Sequence, residues 1–205
     1  EKSPVGEIPD ATHQPVFTTK TVTIAGQRVT YVAETGVLPI LKADGASRAS
    51  VFYVAYTRLA EKSDGGNRKS EMSKRPVTFC FNGGPGSSSV WLHLGALGPR
   101  RVEMNPNGTL PPPPFQLVDN DYSILNASDL VFIDPVATGF SRAAKDEKAD
   151  QFFGDSADLD SVGEFIRLWT TRHDRWLSPK YLCGESYGVF RAAGLSDYLR
   201  SRYGM

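Results

Sequence analysis

A pentapeptide, Gly184-Glu185-Ser186-Tyr187-Gly188, restricts the fold of this chain more than any other segment, because it joins an apolar run, Lys180 to Cys183, to a helix-patterned stretch, Val189 to Tyr203. A serine at the tip of such a strand-to-helix turn occupies strained backbone angles. Side chains two residues before and after it would collide unless they were glycine. Gly184 and Gly188 meet that need. The helix that follows aims its positive end at the turn, which favours an anion developing there. Taken alone, the motif also leaves open a plainer reading, less favoured, as a Gly-flanked serine in an ordinary turn.

The rest of the chain divides into two textures. From Val16 to Arg58, short alternating runs rich in Thr, Val, Tyr and Phe are punctuated by Gly26 and by Asp44-Gly45, which predicts antiparallel strands joined by hairpins. The polar segment Glu61 to Arg75 reads as an exposed connection. Beyond it, Pro76 to Phe81, Asp129 to Ile133 and Lys180 to Cys183 are continuous apolar runs of the kind that form buried parallel strands. Between the last two, Leu159, Val162, Phe165, Ile166 and Trp169 recur at helical spacing within Ala157 to Trp176, giving a strand–helix–strand crossover. A second helix is expected over Val189 to Tyr203. The fold class is therefore α/β, a mixed, mostly parallel sheet with flanking helices and antiparallel strands at its N-terminal edge. Residues 1–205 read as a single domain, with 1–15 expected to be extended or disordered.

Asn82-Gly83-Gly84-Pro85-Gly86 follows the first apolar run, and its backbone can approach a ligand closely. In a hydrolase sheet such a loop supplies one oxyanion donor, and the residue after the nucleophile supplies the other. This assigns Ser186 as nucleophile and the amides of Gly83 and Tyr187 as the oxyanion hole. A phosphate cradle is the competing reading, but the loop lacks both the Gly-Lys-Ser/Thr ending and the GxGxxG spacing.

Composition narrows the function further. Lys and Arg total 23, Asp and Glu total 23, and no basic block stands out, so nucleic acid is not an expected partner. No run approaches the roughly 18 apolar residues that a membrane span requires. His13, His93 and His173 lie far apart with no second ligand at zinc-like spacing, so no metal site is expected. No cofactor is called for, and the histidines read as structural or exposed. Cys80 and Cys183, the only cysteines, read as inert core thiols. Trp91, Trp169 and Trp176 read as packing residues. Asp150, Asp155, Asp158 and Asp160 read as helix-capping charges rather than a calcium loop.

Four segments taken together, NGGPGSSS (Asn82 to Ser89), LGP (Leu97 to Pro99), FIDPVATGFS (Phe132 to Ser141) and GESYG (Gly184 to Gly188), resemble in order and spacing the serine carboxypeptidases of the α/β-hydrolase superfamily. The resemblance covers about Val51 to Gly204. It implies hydrolysis of C-terminal peptide bonds through an acyl-enzyme on Ser186, with a peptide bearing a free C-terminus as substrate. Asn82 and Glu185 match the residues that bind the terminal carboxylate. Two carboxyl groups at hydrogen-bonding distance cannot both stay ionised, so such binding is expected to favour acid conditions. Asp134 is implied to be a structural part of its turn. The implied location is secreted or periplasmic. The proline iminopeptidases, which share a GGPG loop and the same fold, are the nearest alternative.

The chain also departs from the pattern. Ala96 replaces a second Glu, Cys80 a Trp, and Ser87 a Cys whose disulfide therefore cannot form. Ester hydrolysis or acyl transfer on the same scaffold is thus a second reading. After Ser186 the only acid is Asp197, and no His follows, although in this superfamily the triad runs Ser, Asp, His. The expectation is an N-terminal part of a catalytic domain. The later strands, the cap and the triad Asp and His would come from a C-terminal part of the same polypeptide or from a second chain. Alone, the 205 residues are expected to be inactive; an inactive fragment serving as a binding module is the non-enzymatic alternative.

Overall fold

The computed structural model describes residues 14–59 and 74–205. The N-terminal segment 1–13, including His13, and most of the polar connection at 61–75 lie outside the described residues. The alternating runs form three long strands, β1 (Val16–Ile24), β2 (Gln27–Leu41) and β3 (Ser47–Arg58), paired antiparallel in sequence order. Ala25 and Gly26 turn β1 into β2 with positive φ values of 48° and 76°, and Gly45 lies in the next hairpin loop with φ 86°. Both hairpins fall where the glycines predicted them.

The apolar runs become β4 (Val77–Phe81), β7 (Asp129–Ile133) and β9 (Lys180–Gly184). Between β4 and β7 lie the three-residue helix α1 (Val90–Leu92), continued by a wider turn over His93–Leu97, and a small antiparallel pair, β5 (Arg100–Val102) and β6 (Leu117–Asp119). The proline-rich loop at 111–114 connects that pair. The short strand β8 (Arg142–Ala143) pairs with β3. The main sheet runs β1-β2-β3-β7-β4-β9. It is antiparallel from β1 to β7 and parallel from β7 through β4 to β9. This is the mixed sheet with an antiparallel N-terminal edge that the sequence texture implied.

Two helices cover one face, α2 (Asp155–Arg172) and α3 (Tyr187–Tyr203). Phe79 and Phe81 of β4 and Val131 and Ile133 of β7 point to that face and pack with Val162, Phe165, Ile166 and Trp169 of α2 and Leu195 and Leu199 of α3. The intervening residues, Cys80, Leu130 and Phe132, point to the other face, where Val22, Ile24, Val29, Tyr31 and Leu125 complete a second cluster. Burial on both faces is why β4 and β7 read as unbroken apolar runs.

Several expectations need correction. β9 is less buried than expected: among the described residues it pairs only with β4, and Tyr181 is 56% exposed. Trp169 is in the core, but Trp91 and Trp176 are exposed, since neither sits on a helix face turned to the sheet. α2 starts behind Gly154 with no side-chain cap, although Asp155 and Asp158 do lie in its first turn, at the positive helix end. Asp155 accepts from the Tyr187 hydroxyl at 3.0 Å and Asp160 from the Tyr198 hydroxyl at 2.6 Å. Among the described residues no helix is long and apolar enough to cross a membrane.

Candidate active site

Because β4 and β9 are adjacent, parallel and in register (Phe81 opposite Gly184), the loops leaving their C-terminal ends meet. Ser186 stands between β9 and α3 with φ 56° and ψ −126°, a conformation rare for a non-glycine residue and costly enough that the surrounding structure has to enforce it. It is exposed, and its side chain caps nothing. The helix starts at Tyr187, two residues earlier than the sequence pattern suggested, so the Tyr187 amide lies in the first helical turn.

The glycines are required by close backbone approach. A β-carbon at Gly184 would fall 1.9 Å from the Gly188 carbonyl oxygen, and one at Gly188 would fall 2.6 Å from that of Phe81. At Gly83 it would fall 2.4 Å from the Tyr187 nitrogen. The Gly-rich loop therefore presses its backbone directly against the turn that carries Ser186. Among the described residues neither the Gly83 amide nor the Tyr187 amide donates to a protein acceptor.

Asn82 and Glu185, assigned together from the sequence, are in contact, the Asn82 Nδ2 donating to Glu185 Oε2 at 3.1 Å. Asn82 is buried and Glu185 exposed. The Asn82 Oδ1 accepts the Leu92 amide at 3.0 Å, so the side chain links α1 to the turn. Beside this arrangement a cleft of about 230 Å³ is lined by Pro85, Gly86, Val136, Phe152, Phe153 and Tyr187, among others.

Arg191, on α3, was not singled out by the sequence reading. It is fully buried and pairs two-pronged with Asp158 of α2, at 2.7 and 3.0 Å. Its remaining arm donates to the Asn82 carbonyl at 2.7 Å. One guanidinium thus ties both helices to the loop that follows β4, and its carbon lies 5.3 Å from the centre of the Tyr187 ring. No local pattern reveals this pair, whose members are 33 positions apart.

The remaining polar residues are structural. Asp134 is buried, and burial raises its pKa while the donated amides of Ser89 and Phe140 oppose that rise. Those bonds, at 2.9 and 3.3 Å, hold the turn after β7 to the segment entering α1. His93 is hydrogen-bonded to the Tyr56 hydroxyl at 2.6 Å and stacked on Phe132, and burial lowers its pKa to about 4. His173 uses both ring nitrogens, on the Trp169 carbonyl and on Glu34, each at 2.8 Å. Asp197 forms an exposed ion pair with Arg200 on α3. Neither described histidine nor Asp197 is hydrogen-bonded to Ser186.

A mixed sheet whose parallel strands β7, β4 and β9 lead to a strained serine between strand and helix, with a glycine loop packed on that turn, fits the α/β-hydrolase class. Comparison with known proteins narrows it: residues 33–197 match the sequence model of the serine carboxypeptidase family. The chain belongs to that family. Serine carboxypeptidase-like 16 of Arabidopsis thaliana is 34% identical over 124 residues, 58% of this chain and 27% of the relative. Serine carboxypeptidase-like 8 of the same plant is 31% identical over 132 residues, 62% of this chain and 29% of the relative. The chain thus spans somewhat more than a quarter of the length of these relatives.

Proposed function

We propose that this chain is the nucleophile-bearing part of a serine carboxypeptidase, a hydrolase that cleaves C-terminal peptide bonds through an acyl-enzyme on Ser186. The observation that carries the reading is the contact between Gly83 and the Tyr187 nitrogen beside an exposed, strained serine. A carbonyl attacked by the Ser186 oxygen develops negative charge on its own oxygen. The amides of Gly83 and Tyr187, without acceptors among the described residues, are the donors for that charge, and the start of α3 adds to the field. Asn82 and Glu185 bind the free carboxylate of a peptide substrate, Glu185 by sharing a proton with it. Catalysis also needs a base for the serine proton. His93 and His173 are committed elsewhere in the fold, so in this reading the His and its Asp come from polypeptide outside the described residues. We further infer that the chain alone is inactive and that the working enzyme is secreted or periplasmic.

A fluorophosphonate probe applied to the complete protein should label Ser186, and Ser186→Ala should remove both labelling and peptide hydrolysis. Hydrolysis that survives this substitution would falsify the assignment. Ester hydrolysis or acyl transfer is the second reading, favoured by Ala96, whose carbonyl accepts from Asn120 Nδ2 at 2.7 Å and which brings no carboxyl group to the site. Peptides with free and amidated C-termini separate the two: a carboxypeptidase prefers the free acid, whereas indifference to the terminus supports the second.

A further inference from the structure

Cys80 and Cys183 are 103 positions apart in sequence and directly opposite each other in the parallel pairing of β4 and β9. Adjacent strands lie about 4.8 Å apart. Half-cystines need Cα atoms about 4.4–6.8 Å apart. Both side chains belong to the same face of the sheet, since Cys80 lies in the second core cluster and Cys183 packs against it. Both are free thiols. They differ in access: among the described residues Cys80 is fully buried, whereas Cys183 is half-buried.

We propose that Cys80 and Cys183 are a thiol pair that closes to an intramolecular disulfide, stapling the strand that leads to Ser186 onto β4. The reaction runs by exchange with a low-molecular-weight disulfide such as oxidised glutathione. The Cys183 thiolate attacks one sulfur of that disulfide, breaking its S–S bond and releasing one glutathione thiolate. Cys80 then attacks the Cys183 sulfur, its proton passing to the departing glutathione thiolate, and the second glutathione is displaced. Two protein thiols are oxidised and one small disulfide is reduced to two thiols. The order of events follows from accessibility and from acidity. The neighbouring Cys80 thiol lowers the Cys183 pKa to about 7, against the effect of burial, while the neighbouring Cys183 and burial raise that of Cys80. A thiol with a pKa near the ambient pH is the effective attacker.

The test is intact-mass measurement and peptide mapping of the full chain after equilibration in buffers of oxidised and reduced glutathione, with alkylation under unfolding conditions. The expected product is a monomer lighter by two hydrogen atoms, with a peptide joined through Cys80 and Cys183 and no thiol left to alkylate. In C80S the reaction should stop at a glutathione adduct on Cys183, and C183S should remain unmodified. If a variant does not fold, the wild-type mass alone decides. A wild-type chain that stops at the Cys183 adduct, keeps both thiols free in the oxidised buffer, or cross-links to a second copy overturns the proposal. None of these readouts depends on activity at Ser186.

Discussion

At the end of β7, Asp134 is buried and both of its carboxylate oxygens take backbone donors. At the end of β9, on the other side of β4, Ser186 is exposed, held in a strained conformation, and caps nothing. Each turn contains a non-glycine residue at positive φ, Ala137 at 67° and Ser186 at 56°. Local conformation therefore does not separate them. Saturation does: a polar group whose partners are all internal holds a fold together, while one left without partners and open to solvent is available to a substrate. The same criterion sets His93 and His173 with Asp134, on the structural side.

The comparison can be broken most directly at its reactive end. In the complete protein Ser186→Ala should lower kcat by about 10⁵–10⁶-fold, the scale seen when a serine hydrolase loses its nucleophile. Because the hydroxyl has no hydrogen-bond partner among the described residues, thermal unfolding should stay within about 0.5 kcal/mol of wild type. A large loss of stability would move Ser186 to the structural side.

Arg191→Met comes next. It leaves Asp158 buried with no cation and the Asn82 carbonyl without its donor, and should destabilise by about 3–5 kcal/mol in urea unfolding. A change under about 1 kcal/mol would show that the pair does not organise the loop. Asp134→Ala strips the buried amide of Ser89 and the part-buried amide of Phe140 of their acceptor and should destabilise by about 1–3 kcal/mol. The effect on stability should be the reverse of that at Ser186, where the fold loses almost nothing.

His93 offers the mildest and most specific test, through pH. Its folded pKa of about 4 lies below the 6.5 of an ordinary imidazole, so between those limits the unfolded chain binds more protons. Stability then rises with pH across that window and falls on acidification, by on the order of 2 kcal/mol for this one group. His93→Phe should flatten the pH dependence of the unfolding midpoint between about pH 4 and 6.5. An unchanged slope would place the acid sensitivity elsewhere, with Glu34 the first alternative: its pKa is lowered because its bonds to His173 and Tyr53 outweigh burial, and protonation in acid breaks them.

Much of this arrangement was legible in residue order alone. Hairpins announced themselves through Gly26 and Asp44-Gly45, because a reversal of the chain needs a backbone that tolerates positive φ. The doubly buried strands β4 and β7 showed as unbroken apolar runs, and α2 as a spacing of about 3.6 residues. Gly83, Gly184 and Gly188 marked the places where backbone meets backbone. The helix boundaries moved by a few residues, and β9 proved to pair only with β4 among the described residues, since an apolar run of four residues does not reveal how many neighbours it has. The aspartates at the start of α2 looked like caps because that is the local use of an acid at a helix N-terminus. Asp158 answers instead to Arg191, across the fold.

What the sequence by itself determined is local: which segments extend, which coil, where the chain can turn tightly, and that a serine sits in one such turn. These properties depend on steric limits and apolar spacing within a few residues, and the letters carry them. The tertiary structure alone decided which distant groups meet. Packing β4 beside β9 brought Gly83 to Tyr187, Asn82 to Glu185 and Cys80 opposite Cys183, and packing α2 on α3 gave Asp158 its counter-ion. Hydrogen bonds and charges act over a few ångströms in space, and no rule of neighbouring residues states which parts of a folded chain will come that close.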